Sequence, residues 1–162
     1  MKKVSILVSM GKSLKVEIIM KRILVLVCMI LFLGTFVSVE YATAADRIVN
    51  NKDGTVTDTK TGLMWADHDN GSNINWWGAK SYCEGYSGGG KSGWRMPTID
   101  ELRQLHSSGA YGSVIKKTSS YVWSSEIRGS DAAYFNFTMW PSGWAHQSKA
   151  GSYRTLPVRS GK

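Results

Sequence analysis

The start of the chain limits what the rest can become. Lys21 and Arg22 lead into Ile23 to Val39, apolar almost throughout with Gly34 as a break, and Ala42-Thr43-Ala44 follows as a small–any–small cleavage pattern. A basic lead-in, an apolar run and a small-residue site are the three parts of a secretory signal. Residues 1–44 are therefore read as a signal peptide and residues 45–162 as a single exported domain. Met20 could be the true start, since Met20 onward is a complete signal by itself. A retained anchor is the competing reading, because the run is about long enough to span a bilayer; the Ala-x-Ala site argues for cleavage. Cys28 is a poor lipid-attachment site, with Val27 before it where a small residue is expected.

Cleavage leaves Cys83 as the one cysteine of about 118 residues. No disulfide can form within such a chain, so stability must come from an apolar core, for which the length suffices. A lone thiol in an exported protein is either buried and inert or free to pair with another chain, and burial is the reading adopted. Charge is uneven: residues 45–102 carry a net −2 and residues 103–162 a net +6. A basic half points to an acidic partner such as a sulfated or phosphorylated polymer, with a plain solubilising surface as the alternative.

The expected order of elements is strands, helix, helix, strands, which indicates an α+β fold. Ile48 to Asn50, Thr55 to Thr57 and Leu63 to Trp65 read as a meander broken by turns at Asp53-Gly54 and Thr59 to Gly62. Asp67 to Asn75 is a polar loop, after which Asn75 caps a helix burying Trp76, Ala79 and Cys83. Ser87-Gly88-Gly89-Gly90 reads as a flexible connector. Thr98 and Glu101 form a capping box for a second helix with Ile99, Leu102 and Leu105 as its apolar stripe. Tyr121 to Trp123 resumes a strand. Ala133, Phe135 and Phe137 alternate with Tyr134, Asn136 and Thr138 as in a half-buried strand. Pro141-Ser142-Gly143 reads as a hairpin turn, and Leu156 to Arg159 as the last strand.

Five motifs occur in a fixed order: Asp53-Gly54-Thr55-Val56-Thr57-Asp58, Thr61-Gly62-Leu63-Met64-Trp65, Trp94-Arg95-Met96-Pro97-Thr98 with Glu101-Leu102, Trp123-Ser124-Ser125, and Pro157-Val158-Arg159. In these the chain resembles the Lcl (Legionella collagen-like) C-terminal domain family, related to the Fibrobacter succinogenes major paralogous domain. The resemblance implies a C-type-lectin-like domain with two short helices and a small twisted antiparallel sheet, akin to the formylglycine-generating domains. It also implies an exported, surface-associated module, and the family's name-giving member binds sulfated glycosaminoglycans. Some relatives carry a second cysteine near the C-terminal Val-Arg, able to pair with the helix cysteine; here the segment reads Thr155-Leu156-Pro157-Val158-Arg159, so Cys83 lacks that partner.

Catalysis is not expected. The formylglycine-generating relatives use paired cysteines with copper, and one cysteine cannot form a pair. His68, His106 and His146 are scattered without metal-ligand spacing. Asp67, Asp69 and Asn73 place oxygens on alternate residues around Gly71, like the first half of a calcium loop, but the closing glutamate is missing and such loops are commonly plain turns. Apart from that calcium candidate no cofactor is expected. Trp94, Arg95 and Pro97, like Trp123-Ser124-Ser125, are assigned structural work. The ligand-binding candidates are Arg128, Trp140, Trp144, Lys149 and Arg154, with Lys116 and Lys117 next. Exposed indoles can hold sugar ring faces and cations can meet sulfate or carboxylate groups; the alternative puts both tryptophans in the core.

The functional expectation is an exported, non-catalytic module for adhesion-type recognition of an anionic or sulfated polysaccharide, located in the periplasm, on the cell surface or outside the cell. The alternative is a structural or protein–protein module of the envelope. Partners would be such a glycan or an envelope protein, not nucleic acid. Membrane contact would run only through the signal segment, and multivalency would come from a homo-oligomer.

Overall fold

The computed structural model describes residues 20–25 and 47–161. Contacts divide the chain into Met1–Tyr41 and Ala42–Lys162. Of the first unit, residues 20–25 form a helical stretch with exposed side chains. The expected cleavage site at residues 42–44 and Cys28 lie outside the described residues, among which no helix is long and apolar enough to cross a membrane.

The second unit holds two four-stranded sheets rather than the single small sheet expected. The first contains β1 (Ile48–Asn50), β2 (Thr55–Asp58), β3 (Leu63–Ala66) and β8 (Val158–Ser160), ordered β1-β2-β3-β8 and antiparallel throughout. The second contains β4 (Tyr121–Arg128), β5 (Asp131–Asn136), β6 (Ser142–His146) and β7 (Tyr153–Arg154), ordered β6-β5-β4-β7. Its β4–β7 pairing is parallel, a departure that the sequence pattern did not signal. Between the sheet segments run α1 (Trp76–Gly85) and α2 (Ile99–Ser107).

Local chemistry sets the helix boundaries. Asn75 caps α1 by accepting from Gly78 N at 2.9 Å, and Trp76, Ala79 and Cys83 are the residues that α1 buries. The Thr98–Glu101 capping box is complete: Glu101 N donates to Thr98 Oγ1 and Thr98 N to Glu101 Oε2. This satisfies two helix-end donors reciprocally. α2 buries Ile99, Leu102 and Leu105. Gly88–Gly90 is not a loose connector; it forms a 3₁₀ turn closed by Gly90 N to Ser87 O and Lys91 N to Gly88 O.

Two apolar clusters sit on either side of the second sheet. The larger joins Val56, Trp65, Leu102, Leu105, Phe135 and Val158. The smaller joins Trp76, Ala79, Cys83, Trp123, Ala132 and Ala145. Consequently β5 is buried on both faces, Ala133 and Phe135 toward one cluster and Ala132 toward the other, instead of the half-buried strand read from alternation. The last strand begins at Val158, two residues later than expected.

Candidate functional site

The exposed side chains that can meet a ligand gather where α2 runs beside β6, an edge strand. The β5–β6 turn occupies residues 137–141, earlier than the expected Pro141-Ser142-Gly143 turn, so Trp140 lies inside it. Asn136 organises this turn: its Oδ1 accepts from Thr138 N and Met139 N, and its carbonyl from Trp140 N. Trp140 is thereby held at φ 74°, a region non-glycine residues seldom enter. Its ring meets His106, in the last turn of α2, at 4.3 Å between centroids. Trp144, two turns of helix away, lines an open cleft of about 310 Å³ with Ile99, Asp100, Arg103, Glu126 and Ser142. Ile99 and His106 are about 10 Å apart along α2 by helical rise, so the two tryptophans mark opposite ends of one strip. Both stand out of the core, 56% and 43% exposed.

Cations lie along that strip. The Arg128 guanidinium stands 4.5 Å above the Trp144 ring, and its carboxylate neighbour Asp131 is as far as 3.9 Å. Across the sheet Arg128 is in register with Asp131, and Asp131 with His146. Lys149 follows in the turn after β6, its N–H bonded to His146 O. Arg103 bonds Asp100 Oδ1 at 2.6 Å and reaches Ser142 Oγ at 3.4 Å. Arg103 and His106 were not among the expected site residues. Their i, i+3 spacing beside the Ile99, Leu102 and Leu105 stripe was the available signal.

Arg154 lies elsewhere, on β7 at the opposite edge of the same sheet. Its Nε donates to Thr118 Oγ1 at 2.7 Å and its Nη1 to Asn73 Oδ1 at 2.6 Å. These bonds belong to a hub around Asp69, which is 2% exposed. Asp69 Oδ1 accepts from Gly71 N and Thr118 Oγ1, and Oδ2 from Thr118 N and Tyr111 OH. Burial, then the Asp69 charge, pushes the Tyr111 phenol up. The calcium candidates thus face protein donors: both Asp69 oxygens are engaged, Asn73 Oδ1 receives a guanidinium, and Asp67 Oδ1 is bonded to His68 Nδ1. Exposed Lys116 and Lys117 border this hub, and Lys116 N bonds Asp67 O.

The Lcl C-terminal domain model matches residues 54–159. The chain belongs to the Lcl C-terminal domain family. No curated protein matches it by sequence.

Within this Lcl domain the motif residues build the frame. Trp94 is buried, donates Nε1–H to Lys91 O and meets the Tyr86 ring edge-on at 4.9 Å. Arg95 forks onto Glu101 at 2.8 and 2.6 Å, and its backbone bridges Val158. Trp123 and Ser124 are buried, the Ser124 hydroxyl accepting from Glu126 N. Glu126 in turn accepts from Ile99 N at the start of α2. Cys83 is fully buried with Sγ 3.0 Å from Thr155 Oγ1, and burial raises its thiol to about 12 despite that contact.

Proposed function

We propose that this Lcl domain is an exported, non-catalytic binding module that recognises an anionic or sulfated glycan along the α2–β6 strip. Family membership favours an extracellular or cell-envelope setting and a C-type-lectin-like fold, which the two curled sheets and two short helices accommodate. The observation that carries the reading is the exposed Arg128–Trp144 pair. Its guanidinium is exposed, makes only a long 3.9 Å ion pair with Asp131, and can meet sulfate bidentately. Trp140 extends the same surface toward His106, with the half-exposed Arg103, paired to Asp100 at 2.6 Å, between the two indoles. The buried, high-pKa Cys83 thiol is a poor source of the thiolate that nucleophilic catalysis requires.

Retention on a heparin column tests this. The exported protein, obtained by expressing the full chain, should bind and elute only above physiological salt, because neutralised sulfates release counterions. Flow-through at low salt would sink the polyanion reading. Exposed Met139, Trp140 and Trp144 at the β5–β6 turn and on β6 support a second reading, an envelope protein as partner; its binding would be insensitive to salt and sulfation.

A further inference from the structure

A second cleft, sharing no residue with the strip, lies between the C-terminal end of α1 and the Gly88–Gly90 turn. Its volume is about 630 Å³, and Asp53, Ser81, Tyr82, Tyr86, Gly88 and Gly89 line it. We propose that this cleft is a binding site for an uncharged, hydroxyl-rich sugar ring.

The cleft offers a ring-shaped apolar surface. Tyr86 is fixed by its hydroxyl bond to Gly54 O at 3.1 Å and by the edge-on contact with Trp94. Tyr82 lies 6.2 Å from it, tilted by 34°. Tyrosine rings of this kind present faces on which the apolar side of a sugar can stack. Gly88 and Gly89 let the turn pack closely against the lining side chains. A Cβ on Gly88 would fall 2.4 Å from Tyr86 Cε1, and one on Gly89 would fall 2.6 Å from Asp53 Oδ2. The volume is in the range of small-ligand sites.

The polar groups set the ligand's chemistry. Asp53 Oδ1 accepts from Thr55 N and Oγ1. Among the described residues, Asp53 Oδ2, Ser81 Oγ and the Tyr82 hydroxyl have no protein hydrogen-bond partner, so they remain available to sugar hydroxyls. A carboxylate accepts strongly from hydroxyl donors and repels sulfate. Burial, together with the Asp67 and Asp53 charges, raises the Tyr86 phenol to about 12, in keeping with a negative local field. Charge therefore separates this site from the cationic strip.

The test uses ¹⁵N-labelled protein exported from the full chain. Methyl glycosides of glucose, galactose, mannose and N-acetylglucosamine are titrated in turn, with a heparin disaccharide as the anionic probe. At least one neutral glycoside should shift the Ser81, Gly88 and Gly89 amide signals saturably. Gly85→Phe should weaken that binding by about tenfold or more, because a Cβ at Gly85 meets nothing within 4 Å and its ring would enter the cleft. Ser81→Phe, on the exposed face of α1, is the second block should the first misfold. Arg128→Ala should leave the sugar shifts unchanged, and Gly85→Phe should leave heparin-column behaviour unchanged, so the two sites can fail separately. Absence of saturable shifts with all four glycosides, shifts that survive both blocks, or equal shifts with the anionic probe would overturn the proposal.

Discussion

The two edges of the second sheet carry similar residue types in opposite conditions. At the β7 edge, Arg154 is bound to Thr118 and Asn73 within a hub whose centre, Asp69, accepts four hydrogen bonds. Toward the β6 edge, Arg128 at the end of β4 reaches the exposed Trp144 indole of β6, with its carboxylate neighbour Asp131 at 3.9 Å. Both arginines follow the same composition rule, but Arg154 has its short hydrogen bonds supplied by the protein while Arg128 keeps only a long ion pair. The difference teaches that a cation is available when its own protein has not already supplied its acceptors.

The comparison breaks most visibly at Asp69. Asp69→Ala would remove the four hydrogen bonds that the buried carboxylate accepts and leave the Tyr111 hydroxyl only Ser119 O, a loss of about 3 kcal/mol. For a domain of this size that is a fall in Tm on the order of 10 °C, readable by thermal denaturation. A fall under about 1 kcal/mol would mean that the hub is looser than its bonds imply.

Acid should act next. Burial alone would raise Asp58, but the Arg47 fork, Thr61 and the Lys60 N–H hold its pKa below the ordinary carboxylate value. Glu101 is likewise held low against its burial by Arg95 and Thr98. A depressed folded pKa contributes stability above the unfolded pKa, and that stability is lost as pH falls through the folded one. The urea midpoint should therefore be level from about pH 7 to 5 and fall below about pH 4. Asp58→Asn should be less stable at pH 7 and show a shallower acid limb; an unchanged limb would remove Asp58 from the acid response.

Much of the frame was legible. Asn75, the Thr98–Glu101 box and the Trp76, Ala79, Cys83 stripe act within a few residues, and local rules place them correctly. The pairing of β4 with β7 joins residues about thirty apart, and no local pattern reports it. Composition alone therefore groups Arg154 with Arg128, although β7 puts Arg154 at the sheet edge opposite the Trp144 strand. Trp140 was placed beside a turn because Pro141 is a strong turn signal. Capping by Asn136 moves the turn earlier and draws Trp140 into it. Arg103 and His106 lie beside the apolar stripe of α2, and only the packing of α2 against β6 and the β5–β6 turn brings them to the strip.

The arginines sharpen the comparison directly. Arg154→Ala should cost about 1 kcal/mol of stability through its lost hydrogen bonds and leave the salt at which the protein elutes from heparin unchanged. Arg103→Ala with Arg128→Ala should do the reverse, lowering elution salt while moving stability by about 0.5 kcal/mol or less, as exposed charges do. Reversed outcomes would move the binding surface to the β7 edge.

The smallest stability effect is expected at Trp140, where two terms oppose. Trp140→Gly would relieve the φ 74° backbone, worth about 1 kcal/mol. It would also remove the indole from His106, an aromatic contact of about the same worth. Net stability should therefore move by about 0.5 kcal/mol or less in urea denaturation. Heparin retention should nevertheless weaken, because the end of the strip beside His106 would lose its indole. Weakened retention with intact stability would show that the strained turn presents Trp140 to a ligand. Unchanged retention would confine binding to the Trp144 end, where Arg128 already supplies the cation.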